Sequence, residues 1–136
     1  ELIWIKNSPV FSMGRLDYDY QHEPILFGWK KKHNWYGGGK YLKSIWEIPK
    51  PSKSPLHPTM KPVALIENAL LNSSKRGDIV VDVFGGSGST LIACQKTERK
   101  CRMMEIDPHY CDVIKTRWEE YSGGKAELVS RKRGKP

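Results

Sequence analysis

Residues 79–84 form an almost continuous run of β-branched residues that leads directly into a turn rich in glycine and serine. A run of this kind predicts a strand buried on both faces, as in a parallel sheet. Residues 85–90 form the turn, and the helix-forming residues 91–96 follow it. Strand, tight turn and helix in this order restrict the chain to α/β architectures in which helices cover a parallel sheet.

The residues on either side of this unit continue the same alternation. Residues 62–71 place apolar side chains at helical spacing after a proline in the first turn, which predicts a helix. Residues 101–106 predict a second strand, and Asp107-Pro108 opens a further helix. The second half is therefore predicted to be the minimal doubly wound α/β motif, with a short strand after Gly123-Gly124.

The first half is predicted to contain short strands separated by irregular segments. Apolar, aromatic-rich stretches predict strands at 1–7, 22–29 and 46–48, with a turn at 14–17. Residues 30–41 interleave lysines and aromatics with glycines, which predicts an exposed loop, and the prolines within 49–58 predict a linker.

The formal net charge of +8 is typical of proteins that bind nucleic acid. The excess lies in residues 1–56 and in the tail, residues 130–136, because acidic and basic residues balance between 57 and 129. Lysines of the exposed loop can bind phosphates while its aromatic rings stack on bases, although a merely solvated loop is the alternative. The candidate DNA-binding residues are Lys30, Lys31, Lys32, Trp35, Tyr36 and Lys40.

Several classes of protein are disfavoured. No stretch approaches the roughly 18 apolar residues of a membrane span, and the first residues lack the features of a secretory signal. Three cysteines without C-x-x-C spacing predict no disulfide framework, and His109 with Cys111 supplies only half of a four-ligand site, so no metal is predicted. Reduced thiols favour the cytoplasm. The chain opens at Glu1, already within an apolar run, and we expect a piece of a longer protein.

Residues at the ends of two predicted strands outline a site for a nucleoside cofactor. Gly86 and Gly88 lack the Cβ that would keep a ligand away from backbone amides at the helix start. Glu105 closes the next strand and is placed to accept both ribose hydroxyls. A dinucleotide fingerprint would need glycine where Leu91 stands, which disfavours pyrophosphate. S-adenosyl-L-methionine has no phosphate, and its positive charges favour a carboxylate such as Asp82.

Three segments in a fixed order carry a family resemblance. They are HPTMKP at 57–62, DVFGGSGST at 82–90 and EIDP at 105–108. In this order they resemble the DNA amino-methyltransferases that modify adenine N6 or cytosine N4, in the circularly permuted group whose catalytic motif lies toward the N-terminus. The predicted strands before residue 30 also look like those of the family, so the resemblance covers nearly the whole chain.

The resemblance implies a Rossmann-like S-adenosylmethionine-dependent methyltransferase fold with an incomplete sheet, and DNA as partner. It implies that Gly86 and Gly88 form the loop on the methionine side, that Asp82 and Phe84 flank it, and that Glu105 holds the ribose. The implied cofactor-binding residues are Asp82, Phe84, Gly85, Gly86, Gly88, Glu105, His57, Thr59 and Lys61.

The tetrapeptide D/N/S-P-P-Y/F/W, with which this family binds the exocyclic amine, is absent from the sequence. Asp107-Pro108-His109-Tyr110 is similar, but its place at a helix start favours a capping Asp followed by a first-turn proline. No catalytic residue is assigned. Residues 1–129 are predicted to be the C-terminal part of one methyltransferase domain, inactive alone. A non-catalytic nucleic-acid-binding module or methyltransferase remnant, and an RNA methyltransferase, are the alternatives.

Overall fold

A computed structural model of the chain describes residues 1–9, 17–38, 42–51 and 60–129. Five strands and three helices lie within these residues. In chain order they are β1 (Leu2–Ile5), β2 (His22–Ile25), β3 (Ile45–Glu47), α1 (Val63–Ser73), β4 (Ile79–Asp82), α2 (Ser89–Thr97), β5 (Lys100–Met103) and α3 (Pro108–Ser122). The predicted alternation of strand and helix in the second half is confirmed, although β4 and β5 end earlier than expected.

β4 and β5 form a parallel pair in which α2 is the connection. Helices α1 and α2 pack together over one face of this pair, where Leu70, Ala93 and Cys94 form the buried core. Val80 and Cys101 pack against this core from the two strands. The core therefore lies between the helices and the alternate residues of β4 and β5.

The opposite face of β4 is uncovered. Ile79 and Val81 are 63% and 68% exposed, so the prediction that this strand is buried on both faces is wrong within the described residues. The physical reason is that α1 and α2 lie on the same side, and no described element lies over the other. β5 is also the only described neighbour of β4, so one edge of β4 is unpaired there.

The first half forms a separate three-stranded sheet with β1 in the centre. β1 runs antiparallel to β2 and parallel to β3. Trp4 is almost fully buried, and its Nε1 donates to the Ile48 carbonyl at 2.7 Å. Burial of one large indole with its N–H satisfied holds this small sheet together.

The start of α3 agrees with the prediction from the sequence, whereas the start of α1 differs from it. Asp107 caps α3 by accepting from the His109 amide at 2.9 Å, with Pro108 in the first turn. This confirms the capping interpretation of the tetrapeptide at 107–110. Pro62 is the N-cap of α1 rather than a first-turn residue.

The short strand expected after Gly123-Gly124 is not formed within 125–129. The predicted turn at 14–17, the linker and the basic tail lie wholly or mostly outside the described residues.

The three cysteines have different surroundings. Cys94 is buried, Cys101 is half-buried and Cys111 is exposed. Burial raises the pKa of the Cys94 thiol, and burial together with the neighbouring Cys94 raises the pKa of Cys101 to about 12. In the described part of the chain, no helix is both long enough and apolar enough to span a membrane.

Truncation of Leu70 tests the α1–α2 core. We expect Leu70→Ala to lower the free energy of unfolding by about 3 kcal/mol, because it leaves a cavity beside Ala93 and Cys94. Leu71→Ala is the matched control, since Leu71 is 51% exposed, and it should cost less than about 1 kcal/mol. Urea titration of both variants measures the difference, and equal losses would contradict this core.

Candidate functional site

A cleft of about 790 Å³ opens where the carboxyl ends of β4 and β5 meet the start of α2. Ligands of open α/β sheets bind in such a crevice, because the parallel strands and the helix start direct polar groups to the same edge. Its walls come from the end of β4, the glycine turn, the residues after β5 and the chain before α1. They are Met60, Lys61, Ile66, Asp82, Val83, Phe84, Gly85, Gly86, Ser87, Ser89, Thr90, Met104, Glu105 and Ile106.

The glycine turn has a defined backbone geometry. The Gly88 amide donates to the Gly85 carbonyl at 2.9 Å, which closes a tight turn, and the Gly85 amide donates to the Met104 carbonyl at 2.8 Å. Gly86 and Gly88 have φ values of +53° and +81°. Other L residues adopt this region at a cost, so the two glycines meet a backbone requirement of the turn.

Gly88 also lies against α3. A Cβ added there would lie 3.2 Å from Cγ1 of Ile114. Gly77 has the same φ of +81°, but a Cβ there would have no neighbour within 4 Å. Packing as well as backbone conformation therefore selects glycine at position 88.

Glu105 connects the two loops that border the cleft. Its Oε2 accepts from the Gly86 amide at 2.6 Å, and its Oε1 accepts from the Asp107 amide at 2.9 Å. The residue predicted to hold a ribose thus also fixes the turn before α2 to the cap of α3.

The end of β4 places a second carboxylate and an apolar side chain at the cleft. Asp82 Oδ1 accepts from the Phe84 amide at 3.0 Å, which bends the chain out of the strand. Phe84 and Ile106 line the cleft and are 87% and 97% exposed. Exposed apolar side chains beside two carboxylates suit a ligand with a flat apolar group and positive charge.

Lys61 lies where the cleft meets the three-stranded sheet. Its Nζ donates to Oε2 of Glu23 at 2.7 Å, and Nζ of the buried Lys6 pairs with Oε1 at 2.9 Å. Both ammonium groups lie 5.6 Å from the centroid of a Trp4 ring. Partial burial alone would raise the pKa of Glu23, but hydrogen bonds from Lys61 and Lys6 outweigh it and lower that pKa. One carboxylate on β2 therefore holds the ammonium of a residue at the cleft.

The structure brings most of the predicted cofactor residues together. Gly88 lies in the turn at the cleft, and Asp82, Phe84, Gly85, Gly86, Glu105 and Lys61 line it. His57 and Thr59 lie outside the described residues. Sequence reasoning missed Ile106 and Met104, which could have been found as the neighbours of Glu105 at the strand end. Among the described residues, no group of three or more His, Cys, Asp or Glu could hold a metal ion.

The candidate DNA-binding residues that the structure describes are not among those that line the cleft. Lys30, Lys31 and Lys32 are exposed in a bend where Lys31 has a φ of +64°, and no ion pair with a described acidic residue involves them. Trp35 packs with neighbouring aromatic rings, whereas Tyr36 lies under the ammonium of Lys75 at 5.0 Å. Lys40 lies outside the described residues.

These rings form an aromatic cluster that the sequence did not reveal. The His33 ring centroid lies 4.5 Å from that of Trp29, 5.9 Å from that of Trp35 and 5.6 Å from that of Phe27. Trp29 remains 61% exposed beside the lysine bend. An exposed indole next to lysines that have no ion-pair partner among residues 1–9, 17–38, 42–51 and 60–129 is a surface on which bases can stack while phosphates bind nearby.

Comparison with known proteins identifies relatives along most of the chain. A family model described as DNA methylase matches residues 1–116. The Type II methyltransferase M2.MboI of Moraxella bovis is 27% identical over 135 residues, which cover 88% of this chain and 49% of that protein. The chain spans about half the length of the first curated relatives that it matches.

Solved structures agree with these relatives. A crystal structure of an M1.HpyAVI–SAM complex has a TM-score of 0.62 and 29% identity, covering 85% of this chain and 59% of that one. PvuII DNA methyltransferase, cytosine-N4-specific, has a TM-score of 0.64 at 19% identity, covering 86% and 49%. At 19% identity the second likeness shows the fold alone. The chain therefore has the mixed α/β fold of these enzymes, with a partial sheet, as predicted.

The Glu23 cluster should make stability depend on pH. Because the folded pKa of Glu23 is lowered, its charged form stabilises the fold above the unfolded pKa, and this contribution disappears as pH falls through the folded value. We expect Glu23→Gln to cost about 2 kcal/mol at pH 7, because it weakens hydrogen bonds to two ammonium groups, and much less near pH 3.

Unfolding by urea at both pH values measures this loss. Glu47→Gln, on exposed β3, is the control and should have little effect at either pH. A Glu23→Gln loss that stays the same between pH 7 and pH 3 would show that charge at Glu23 contributes nothing.

Proposed function

The chain belongs to the DNA methylase family, and from this premise we propose that its cleft binds S-adenosylmethionine for methylation of an exocyclic amine of a DNA base. The observation that carries the proposal is the hydrogen bond of 2.6 Å from the Gly86 amide to the Glu105 carboxylate, in the turn that leads into α2. This bond supports the proposal because it joins a carboxylate, the glycine turn and the start of α2 in one crevice. When bound, S-adenosylmethionine supplies a methyl group activated on a sulfonium.

The residues of the cleft support this cofactor. Its volume of about 790 Å³ is within the range of small-molecule sites. The Glu105 carboxylate is the acceptor for ribose hydroxyls in this proposal, and Asp82 adds a second carboxylate for a cationic ligand. Ile106 and Phe84 offer exposed apolar surface for an adenine ring. Lys61, held by Glu23, supplies an ammonium for a carboxylate group.

The groups that bind the target amine come, in this proposal, from another part of the protein. The sequence contains no D/N/S-P-P-Y/F/W tetrapeptide, and Asp107 is engaged as a helix cap. A parallel strand pair is normally covered on both faces, yet Ile79 and Val81 are exposed and one edge of β4 has no described partner. A strand that carries catalytic residues would pair with that edge of β4, and a helix would cover its exposed face. We therefore infer that residues 1–136 alone do not methylate DNA.

Contact with DNA is assigned to the lysine bend and the aromatic cluster. Three exposed lysines without described ion-pair partners provide phosphate contacts, and Trp29 with Trp35 provides stacking surface. Tyr36 is a weaker candidate than the sequence suggested, because Lys75 already covers a face of its ring. A non-catalytic nucleic-acid-binding module would share this surface but would not respond to S-adenosylmethionine.

Calorimetric titration of S-adenosylmethionine tests the cleft. We expect Gly88→Ala to weaken binding at least about tenfold, because the added methyl strains the turn and contacts Ile114. Gly77→Ala is a matched control with the same φ of +81°, placed outside the cleft, and should bind like the unchanged protein. If the unchanged protein does not bind the cofactor, the proposal is wrong and the non-catalytic module is favoured.

Salt-dependent binding of duplex DNA tests the lysine bend. We expect replacement of Lys30, Lys31 and Lys32 by Gln to weaken binding and to reduce the slope of log affinity against log salt by about 2 to 3. Replacement of the exposed Lys100, Lys115 and Lys125 by Gln removes the same charge from the other half and should leave the slope nearly unchanged. Equal slopes for the two triple variants would contradict this surface, and tighter binding of single-stranded RNA would favour an RNA substrate.

A further inference from the structure

Arg117 of α3 contacts the glycine turn but does not line the cleft. Its Nη1 donates to the Ser87 carbonyl at 2.9 Å and lies 3.3 Å from Oγ of both Ser87 and Ser89. Both serines are buried, and burial lowers the pKa of the Arg117 guanidinium, which still stays charged at neutral pH. A charged donor on a buried carbonyl makes a strong hydrogen bond.

This contact fixes the orientation of one peptide group. The peptide between Ser87 and Gly88 directs its carbonyl to Arg117 and its N–H to the Gly85 carbonyl, at 2.9 Å in each case. The Gly86 amide is bound by Glu105 at 2.6 Å. The turn is therefore held by two charged side chains, the Glu105 carboxylate at the cleft and the Arg117 guanidinium, which does not line it.

The same guanidinium extends the network to the start of α2 and to the chain just before α1. Ser89, the first residue of α2, donates its Oγ to the Lys61 carbonyl at 2.8 Å while receiving Arg117. Ile114, three residues before Arg117 and so on the same face of α3, lies against Gly88. Arg117 does not line the cleft, so any effect on a ligand there must pass through the turn.

We propose that Arg117 is a positioning residue that holds the Gly85–Ser89 turn in the shape required for cofactor binding. The inference rests on the proposed function for its effect on the cofactor, but its effect on the turn can be measured without ligand. Without Arg117, the Ser87 carbonyl is buried without its charged donor, and the turn is free to adopt other conformations. Binding then has to restore the turn, which weakens affinity.

Amide hydrogen exchange without ligand is the first test, carried out on the natural protein. We expect Arg117→Gln to increase the exchange rate of the Gly86 and Gly88 amides about tenfold or more, while the amides of Ala93 and Cys94 in the core change little. Arg117→Lys, which keeps a cation but lacks the planar fork, should restore part of the protection. Arg76→Gln is the control, because Arg76 is exposed and pairs only with Glu98 among the described acidic residues.

Titration with S-adenosylmethionine is the second test. The affinity should fall about tenfold in Arg117→Gln, recover partly in Arg117→Lys and stay unchanged in Arg76→Gln. Uniformly faster exchange, or unchanged exchange at Gly86 and Gly88, would overturn the inference even if the unchanged protein binds the cofactor. Faster exchange confined to the turn, together with no cofactor binding by the unchanged protein, would support the positioning of the turn and overturn the proposed function.

Should Arg117→Gln fail to fold, Ser89→Ala provides a milder change. It removes one acceptor of Arg117 and the bond to the Lys61 carbonyl, and leaves the Ser87 carbonyl bound. We expect a smaller increase of the same two exchange rates, about threefold. No increase in Ser89→Ala together with a misfolded Arg117→Gln would assign Arg117 to global stability and overturn the positioning role.

Discussion

The bond between Glu105 and the Gly86 amide is the contact on which the cleft depends. It joins the loop after β5 to the turn after β4, and the second oxygen of the same carboxylate holds the Asp107 amide at the start of α3. One side chain thus fixes the chain at the start of α2 and at the start of α3. A site assembled this way is largely preformed, so little ordering remains for a ligand to impose.

Much of this arrangement could be predicted from the sequence because it is encoded by local patterns. The β-branched run of β4, the glycines that require positive φ and the acid after the next strand can each be recognised in a short stretch of the sequence. The cap of α3 is equally local, since Asp107 bonds to an amide two residues later. Parallel pairing then brings Asp82 and Glu105 to the same edge.

The remaining features depend on contacts between distant segments, which a single sequence does not show. Exposure of Val81 could not be predicted, because a β-branched strand looks the same whether or not an element covers its second face. The Lys6–Glu23–Lys61 cluster joins residues up to 55 positions apart. The contact of Arg117 with the glycine turn could not be predicted for the same reason. Its spacing of three residues from Ile114 indicated only that the two side chains share a face of α3. The contact between Lys75 and Tyr36 was not predicted either, because nothing in the segment around Tyr36 reveals Lys75.

The three thiols differ in a way that makes the cleft accessible to spectroscopy. Cys94 and Cys101 are withdrawn from solvent with raised pKa values, whereas Cys111 is exposed and its Sγ lies 3.6 Å from the Glu105 carbonyl. Thiolates are the reactive form toward maleimides, so the two shielded cysteines react slowly. A fluorophore or spin label can therefore be attached at Cys111 without removing the other cysteines, six residues after Glu105, which organises the cleft.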